Sequence, residues 1–84
     1  MTAKKLAWRD QAKAQLRAID QFTALRILHA LADLAANGVG DVKRLQGNDP
    51  PEFRLRVGDY RVRFYDDGQT LYVTAVKHRR EAYR

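Results

Sequence analysis

The segment that decides the fold is Phe53-Arg54-Leu55-Arg56-Val57-Gly58-Asp59-Tyr60-Arg61-Val62-Arg63-Phe64. Apolar residues alternate with arginines on both sides of Gly58-Asp59, and a period of two is typical of strands with one buried and one polar face. Gly58-Asp59 suits a two-residue hairpin turn. We therefore expect an antiparallel pair in which Val57 faces Tyr60, Arg56 faces Arg61, Leu55 faces Val62 and Arg54 faces Arg63.

A third strand is predicted after a second tight turn at Asp67-Gly68. Closing the hairpin there places Val62 opposite Val73 and Arg63 opposite Tyr72, and Ala75 continues the apolar alternation. The buried face of the sheet is then expected to consist of Phe53, Leu55, Val57, Tyr60, Val62, Phe64, Leu71 and Val73. The opposite face is expected to consist of Arg54, Arg56, Arg61, Arg63, Tyr65, Tyr72 and Thr74.

The first half of the chain has a helical period. A short strand over 4–8 is followed by a helix that Asp10 caps and that runs to about Ile19. Asp20 caps a second helix, over 22–36, which Asn37-Gly38 ends. The turn formers in 39–51 predict a loop. The apolar stripe of the second helix is expected to consist of Leu25, Leu28, Ala32 and Ala35, widened by Ile27, Leu31 and Leu34.

These elements predict an α+β fold in one domain spanning residues 1–84. A short N-terminal strand and a helical hairpin would pack on one face of a C-terminal antiparallel sheet. A chain of 84 residues leaves too little interior for a buried cofactor, so we expect no cofactor and a site on an open surface.

The charge balance indicates a polyanionic partner. Lys and Arg number 16 against 10 Asp and Glu, a net charge of +6. RNA, DNA, an acidic membrane surface and an acidic protein all fit that charge. The chain has no cysteine, no membrane-spanning apolar run and no signal-peptide core, which favours a soluble cytoplasmic protein. Two distant histidines make no zinc site, so no metal is expected.

The arginines of the predicted hairpin favour a phosphate-binding surface. Two cross-strand arginine pairs would each destabilise the sheet by about 0.2–1 kcal/mol, and no acidic residue is expected on this face of the hairpin. Guanidinium groups match phosphate oxygens, and the adjacent tyrosine rings can stack on unpaired bases. A plain solvated strand face and a surface neutralised by an acidic protein are the alternatives. We expect Arg61 to face solvent.

The C-terminal segment, residues 76–84, contains four basic residues and one acidic residue. It is either a charged tail or an extension of the arginine surface, since it follows directly from a predicted strand. His78 is a candidate for proton transfer because its charge changes near neutral pH. The predicted RNA contacts are Arg63, Lys77, Arg80 and Tyr72.

Three segments together resemble the RelE/ParE toxins of type II toxin–antitoxin systems. They are Val42-Lys43-Arg44-Leu45-Gln46-Gly47, the hairpin 53–64, and Val76-Lys77-His78-Arg79-Arg80-Glu81-Ala82-Tyr83-Arg84. The shared pattern is a Leu-x-Gly loop, a Gly-Asp-Tyr-Arg hairpin continuing as Tyr-Arg-x-Arg, and a closing His-Arg-Arg-x-x-Tyr. The resemblance covers essentially the whole chain and implies one strand, two helices and an antiparallel sheet.

The resemblance implies a toxin that enters the ribosomal A site and cleaves mRNA without a metal ion, leaving a 2′,3′-cyclic phosphate. The catalytic residues it implies are Arg54, Arg56, Arg61, Arg79 and Tyr83, with His78 as a reserve acid or base. RelE itself often has lysines at the first two positions, and an arginine cannot accept a proton, so the general base stays open.

The partners implied are a cognate acidic antitoxin, the ribosome and mRNA, with operator DNA bound only through the toxin–antitoxin complex and no membrane. The first alternative is a ParE-like inhibitor of DNA gyrase without nuclease activity. The second is a nucleic-acid-binding module with neither activity.

Overall fold

The computed structural model describes residues 3–47 and 50–82. The predicted α+β class is confirmed. The elements in chain order are β1 Lys5–Trp8, α1 Asp10–Arg17, α2 Gln21–Asn37, β2 Asp41–Leu45, β3 Glu52–Val57, β4 Tyr60–Asp66, β5 Thr70–His78 and α3 Arg79–Ala82.

The ends of α2 follow the sequence signals. The Asp20 carboxylate accepts the backbone N–H of Thr23 at 2.9 Å, which satisfies one unpaired donor of the first turn. Gly38 has a φ of 70°, the left-handed conformation that ends a helix, and its N–H donates to the carbonyl of Leu34 at 2.9 Å. The cap predicted for α1 is wrong: Arg9 occupies the N-cap position without a side-chain hydrogen bond, and Asp10 lies in the first turn.

The five strands form one sheet in the order β1-β5-β4-β3-β2. The register predicted between β3 and β4 is confirmed at all four pairs, from Val57–Tyr60 to Arg54–Arg63. One expectation is wrong, because β2, predicted as loop, pairs antiparallel with β3. The N-terminal strand β1 pairs parallel with β5, so the sheet is mixed. No short turn joins β1 to β5, so hairpin geometry does not set their relative direction.

The predicted register between β4 and β5 is also wrong. Val62 lies opposite Val76 instead of Val73, and Tyr72 lies opposite Tyr65 instead of Arg63. The connection between β4 and β5 has three residues, not the predicted two. A β-bulge follows on β5, where Thr74 is the extra residue between Val73, the partner of Phe64, and Ala75, the partner of Arg63. Because the bulge reverses the side-chain alternation, the core receives Val76, at 3% exposure, in place of the half-buried Ala75.

Both long helices pack on one face of the sheet, as predicted. Ala12 of α1 and Ile27 and Leu31 of α2 are fully buried against strand residues that include Leu55 and Val62. The buried stripe of α2 differs from the predicted one. It consists of Ile27, Leu31 and Ala35, whereas Leu25 and Ala32, which were predicted to be buried, are exposed. Within residues 3–47 and 50–82, no helix has the length and apolar character that crossing a membrane requires.

Candidate functional site

Strands β2 to β5 carry six basic side chains on the face of the sheet opposite the helices, and we call this part of the sheet the basic face. Register and strand alternation arrange its residues in three rows across β2, β3, β4 and β5. The first row is Asp41, Arg56, Arg61 and Lys77. The second is Lys43, Arg54, Arg63 and Ala75. The third is Leu45, Glu52, Tyr65 and Tyr72.

A shallow depression of about 180 Å³ lies between the first two rows. It is lined by Asp41, Lys43, Arg54, Arg56 and Arg61, and we call it the arginine depression. Three residues predicted to be catalytic, Arg54, Arg56 and Arg61, are therefore brought together by β3 and β4. The depression is open to solvent, as the small interior of the chain led us to expect.

The environments of these arginines differ. Arg56 is exposed. The expectation that Arg61 faces solvent is wrong, because its side chain is only 7% exposed and its Nη1 donates to the carbonyls of Gly58 and Tyr60, both at 3.0 Å. Arg61 therefore both stabilises the β3–β4 turn and lines the arginine depression.

Acidic residues are present on the basic face, contrary to expectation. Glu52 begins β3 one residue before the predicted strand, is 7% exposed, and accepts Arg63 Nη2 at 2.8 Å and the Thr74 hydroxyl at 3.3 Å. Asp41 lies opposite Arg56 on β2. These carboxylates offset part of the repulsion between the paired arginines.

Asp41 and Lys43 are the functional candidates that the sequence analysis missed. Both were assigned to a loop, because turn-forming residues flank this segment on both sides. The alternation inside β2 is weak, since Val42 and Arg44 share one face. Pairing with β3 is therefore the property that places Asp41 and Lys43 in the depression, and no local pattern shows it.

The structure does not bring His78 to the arginine depression. His78 lies opposite Tyr60 on the helix side of the sheet, with ring centroids 5.4 Å apart in an edge arrangement. It lines a separate pocket of about 240 Å³ with residues that include Gln15 and Ile19. The bulge at Thr74 is the cause, because it turns Lys77 to the basic face and His78 away from it.

The remaining predicted residues lie at the ends of the basic face. The Arg79 N–H donates to the carbonyl of Asp59 at 2.7 Å, and its Nε lies 3.8 Å from the Asp59 carboxylate, so α3 begins beside the β3–β4 turn. Arg80 is exposed in α3. Tyr72 is 42% exposed in the third row. Tyr83 lies outside the described residues. Within residues 3–47 and 50–82, no cluster of His, Cys, Asp or Glu is arranged to hold a metal ion.

Residues 6–83 match the family described as the ParE toxin of the type II toxin–antitoxin system parDE. The chain belongs to this toxin family. A search among curated protein sequences gives no significant match. The ParE-family match agrees with the resemblance of the three sequence segments and accounts for nearly the whole chain.

Solved structures share the fold of this ParE-family toxin. The toxin–antitoxin complex RelBE2 of Mycobacterium tuberculosis matches with a TM-score of 0.79 and 20% identity, covering 92% of this chain and 99% of that chain. The RelB–RelE complex of Methanococcus jannaschii gives 0.76 and 22%, covering 92% and 94%. The YoeB dimer of Staphylococcus aureus gives 0.74 and 16%, covering 92% and 98%. At these identities the similarity establishes the fold.

Proposed function

We propose that this toxin inhibits translation by cleaving mRNA on the ribosome, without a metal ion. The observation that supports the proposal most directly is the arginine depression, in which Arg54, Arg56 and Arg61 lie beside one carboxylate and one amine. A guanidinium group can donate two parallel hydrogen bonds to two oxygens of one phosphate. The carboxylate and the amine supply the proton-transfer groups that arginines lack.

The proposed reaction begins when the RNA 2′-oxygen attacks the adjacent phosphorus. The phosphorus–5′-oxygen bond breaks, which leaves a 2′,3′-cyclic phosphate and a free 5′-hydroxyl. Negative charge grows on the phosphate oxygens in the transition state. Arg56 and Arg61 stabilise that charge more than they stabilise the ground state, and this difference accelerates the reaction. Arg54 holds the flanking phosphate.

Proton transfer is assigned to the two residues that β2 contributes. The Asp41 carboxylate accepts the proton of the 2′-hydroxyl, and the Lys43 ammonium donates a proton to the departing 5′-oxygen. A base other than arginine is needed for this step, since an arginine effectively does not deprotonate. His78 receives no role at the phosphate, because its ring lies on the other face of the sheet.

The other predicted residues extend the RNA path. Arg63, Lys77, Arg79 and Arg80 are proposed to contact the backbone on either side of the cleaved bond. Tyr72 is proposed to contact the RNA. Tyr83 stays a prediction, as a residue that stacks on RNA or donates a proton. Because the depression is shallow and open, the ribosome is proposed to supply much of the orientation, and naked RNA should be cut slowly.

Inhibition by an acidic antitoxin follows from the same surface. Two of the structural neighbours are toxins solved with their antitoxins. We propose that a cognate acidic antitoxin covers the basic face in the cytoplasm, and that the toxin reaches operator DNA only through this complex. Electrostatic attraction should make association fast and sensitive to salt.

The test is an mRNA cleavage assay with the purified chain and programmed ribosomes. We expect cuts at the A site with cyclic phosphate ends, and we expect Asp41→Asn to remove cleavage. Asp33→Asn is the matched control, since Asp33 is exposed on α2 and lies outside the depression. Intact mRNA with the unmodified chain would disprove the nuclease proposal.

Inhibition of DNA gyrase is the second candidate, and the ParE family match favours it. The same preparation is added to a supercoiling assay with purified gyrase. Loss of supercoiling together with intact mRNA on programmed ribosomes would select this candidate over the nuclease.

A further inference from the structure

We propose that the protein binds one unpaired RNA base in a cleft at the end of the basic face. The cleft has a volume of about 350 Å³ and is lined by Arg9, Pro50, Tyr65, Asp66, Asp67 and Tyr72. We call it the tyrosine cleft. The inference rests on the proposed RNA substrate and adds the place where a base, as distinct from the backbone, is bound.

Two of the residues that line the tyrosine cleft are aromatic. Tyr65 and Tyr72 lie directly opposite each other on β4 and β5. Tyr72 is 42% exposed and is one of the few large apolar side chains exposed to solvent in the described residues. An exposed aromatic face beside a cationic surface is the arrangement that proteins use to stack bases of single strands.

The turn that precedes Tyr72 is ordered by the Asp67 side chain. The Asp67 carboxylate accepts the N–H groups of Gln69 at 2.8 Å and Thr70 at 2.7 Å. The backbone N–H groups of Gln69 and Thr70 are the main cause of the lowered pKa of Asp67. A turn that is ordered before binding loses less entropy when a ligand binds beside it.

The charges of the tyrosine cleft favour a base over a phosphate. Asp66 and Asp67 lie in its lining, and Asp66 also pairs with Lys4 at 2.7 Å. Carboxylates repel a phosphate, while the six basic side chains of the neighbouring rows attract one. Arg9 adds a planar guanidinium that can stack on a base or donate to its edge.

The spacing along β4 suits a single RNA strand. Tyr65 is two residues from Arg63 and four from Arg61 on the same face of β4. Two strand residues span about 6.8 Å, which is comparable with the length of one nucleotide in an extended strand. A phosphate near Arg63 therefore leaves the next base within reach of the tyrosines.

The experiment measures the affinity of the full chain for a fluorescein-labelled hexaribonucleotide at low salt. A set of hexamers with one abasic residue at each position is compared with the intact strand. We expect Tyr72→Leu to weaken binding of the intact strand about 5- to 150-fold. We expect no such loss with the hexamer that is abasic at the position stacked on the tyrosines.

Two variants separate stacking from other effects. Tyr72→Phe keeps the ring and should retain most of the affinity. Arg56→Ala removes a backbone contact and should weaken the intact and abasic strands equally. Thermal unfolding of each variant checks that the sheet is intact.

Any one of three results would overturn the proposed base site. They are equal affinity for all the abasic strands, unchanged affinity in a folded Tyr72→Leu variant, and no binding of the intact hexamer at low salt. Failure of the base site is distinguishable from failure of the nuclease proposal. A-site cleavage that Tyr72→Leu leaves unchanged, together with equal abasic affinities, rejects only the cleft. Position-dependent binding with intact mRNA on the ribosome rejects only the nuclease.

Discussion

Arginines that face each other across β3 and β4 should affect different properties of the protein when each is replaced by alanine. Arg61→Ala removes a buried guanidinium that donates to the carbonyls of Gly58 and Tyr60, both at 3.0 Å. A hydrogen bond from a charged group contributes about 1.5–3 kcal/mol. Water can replace the donor at Gly58, which is exposed, so the loss for both bonds together should be about 2–3 kcal/mol.

Arg56→Ala should behave differently. Its side chain is exposed, and exposed substitutions usually change stability by less than about 0.5 kcal/mol. Loss of one donor to the transition-state phosphate lowers turnover about 10²- to 10³-fold. Both variants should therefore lose cleavage, but only Arg61→Ala should also lose stability.

Urea denaturation and A-site cleavage, measured on the same preparations, compare the two variants. The free energy of unfolding of a domain of this size falls by about 1–2 kcal/mol per M urea, so Arg61→Ala should lower the denaturation midpoint by about 1–3 M. An unchanged midpoint for Arg61→Ala would refute the structural role of its two hydrogen bonds. Full cleavage by Arg56→Ala would refute the proposed phosphate contact.

Three further predictions concern stability. Glu52→Ala should lower the free energy of unfolding by about 1–3 kcal/mol, because it leaves Arg63 without its carboxylate partner. Glu52→Gln should lower it less, and an equal loss of unfolding free energy for the two variants in urea denaturation would contradict the role of the charge. Leu31→Ala, at a fully buried position, should lower the free energy of unfolding by about 2–5 kcal/mol, whereas a loss below 1 kcal/mol in calorimetry would mean, by the same rule, that the helix layer is loosely packed. The Thr23 N–H lowers the pKa of Asp20 below 3.8, so Asp20→Ala should lower the melting temperature at neutral pH. The difference in melting temperature between the two proteins should shrink as the pH falls below 3.8, and an undiminished difference at pH 2 would contradict the cap.

Local patterns predicted the parts of the fold that local interactions fix. The alternation on both sides of Gly58-Asp59 gave the β3–β4 register, and Asp20 and Gly38 gave the ends of α2. Each of these features depends on residues within one turn or one hairpin. The same reasoning brought Arg54, Arg56 and Arg61 together correctly.

The parts that could not be predicted depend on distant pairing. Thr74 has no special conformational preference for a bulge, so the reversal that moves Lys77 to the basic face and His78 off it was not visible in the sequence. β2 becomes a strand only because β3 offers it an edge, and Asp41 and Lys43 enter the site with it. A one-residue shift in register exchanges the two faces of a strand, which is why the site was less predictable than the fold.

The parallel pairing of β1 with β5 has a consequence for how the protein is made. Lys5 pairs with Thr70 and Trp8 with Val73, so the first of the five described strands to be synthesised pairs with the last of them. Contacts between residues so far apart in sequence form slowly, because a long loop must close first. While the chain is being translated, Leu6 and Trp8 have no strand beside them, and Lys77 has not yet joined the basic face. Synthesis order therefore delays completion of the sheet until β5 has left the ribosome that makes it.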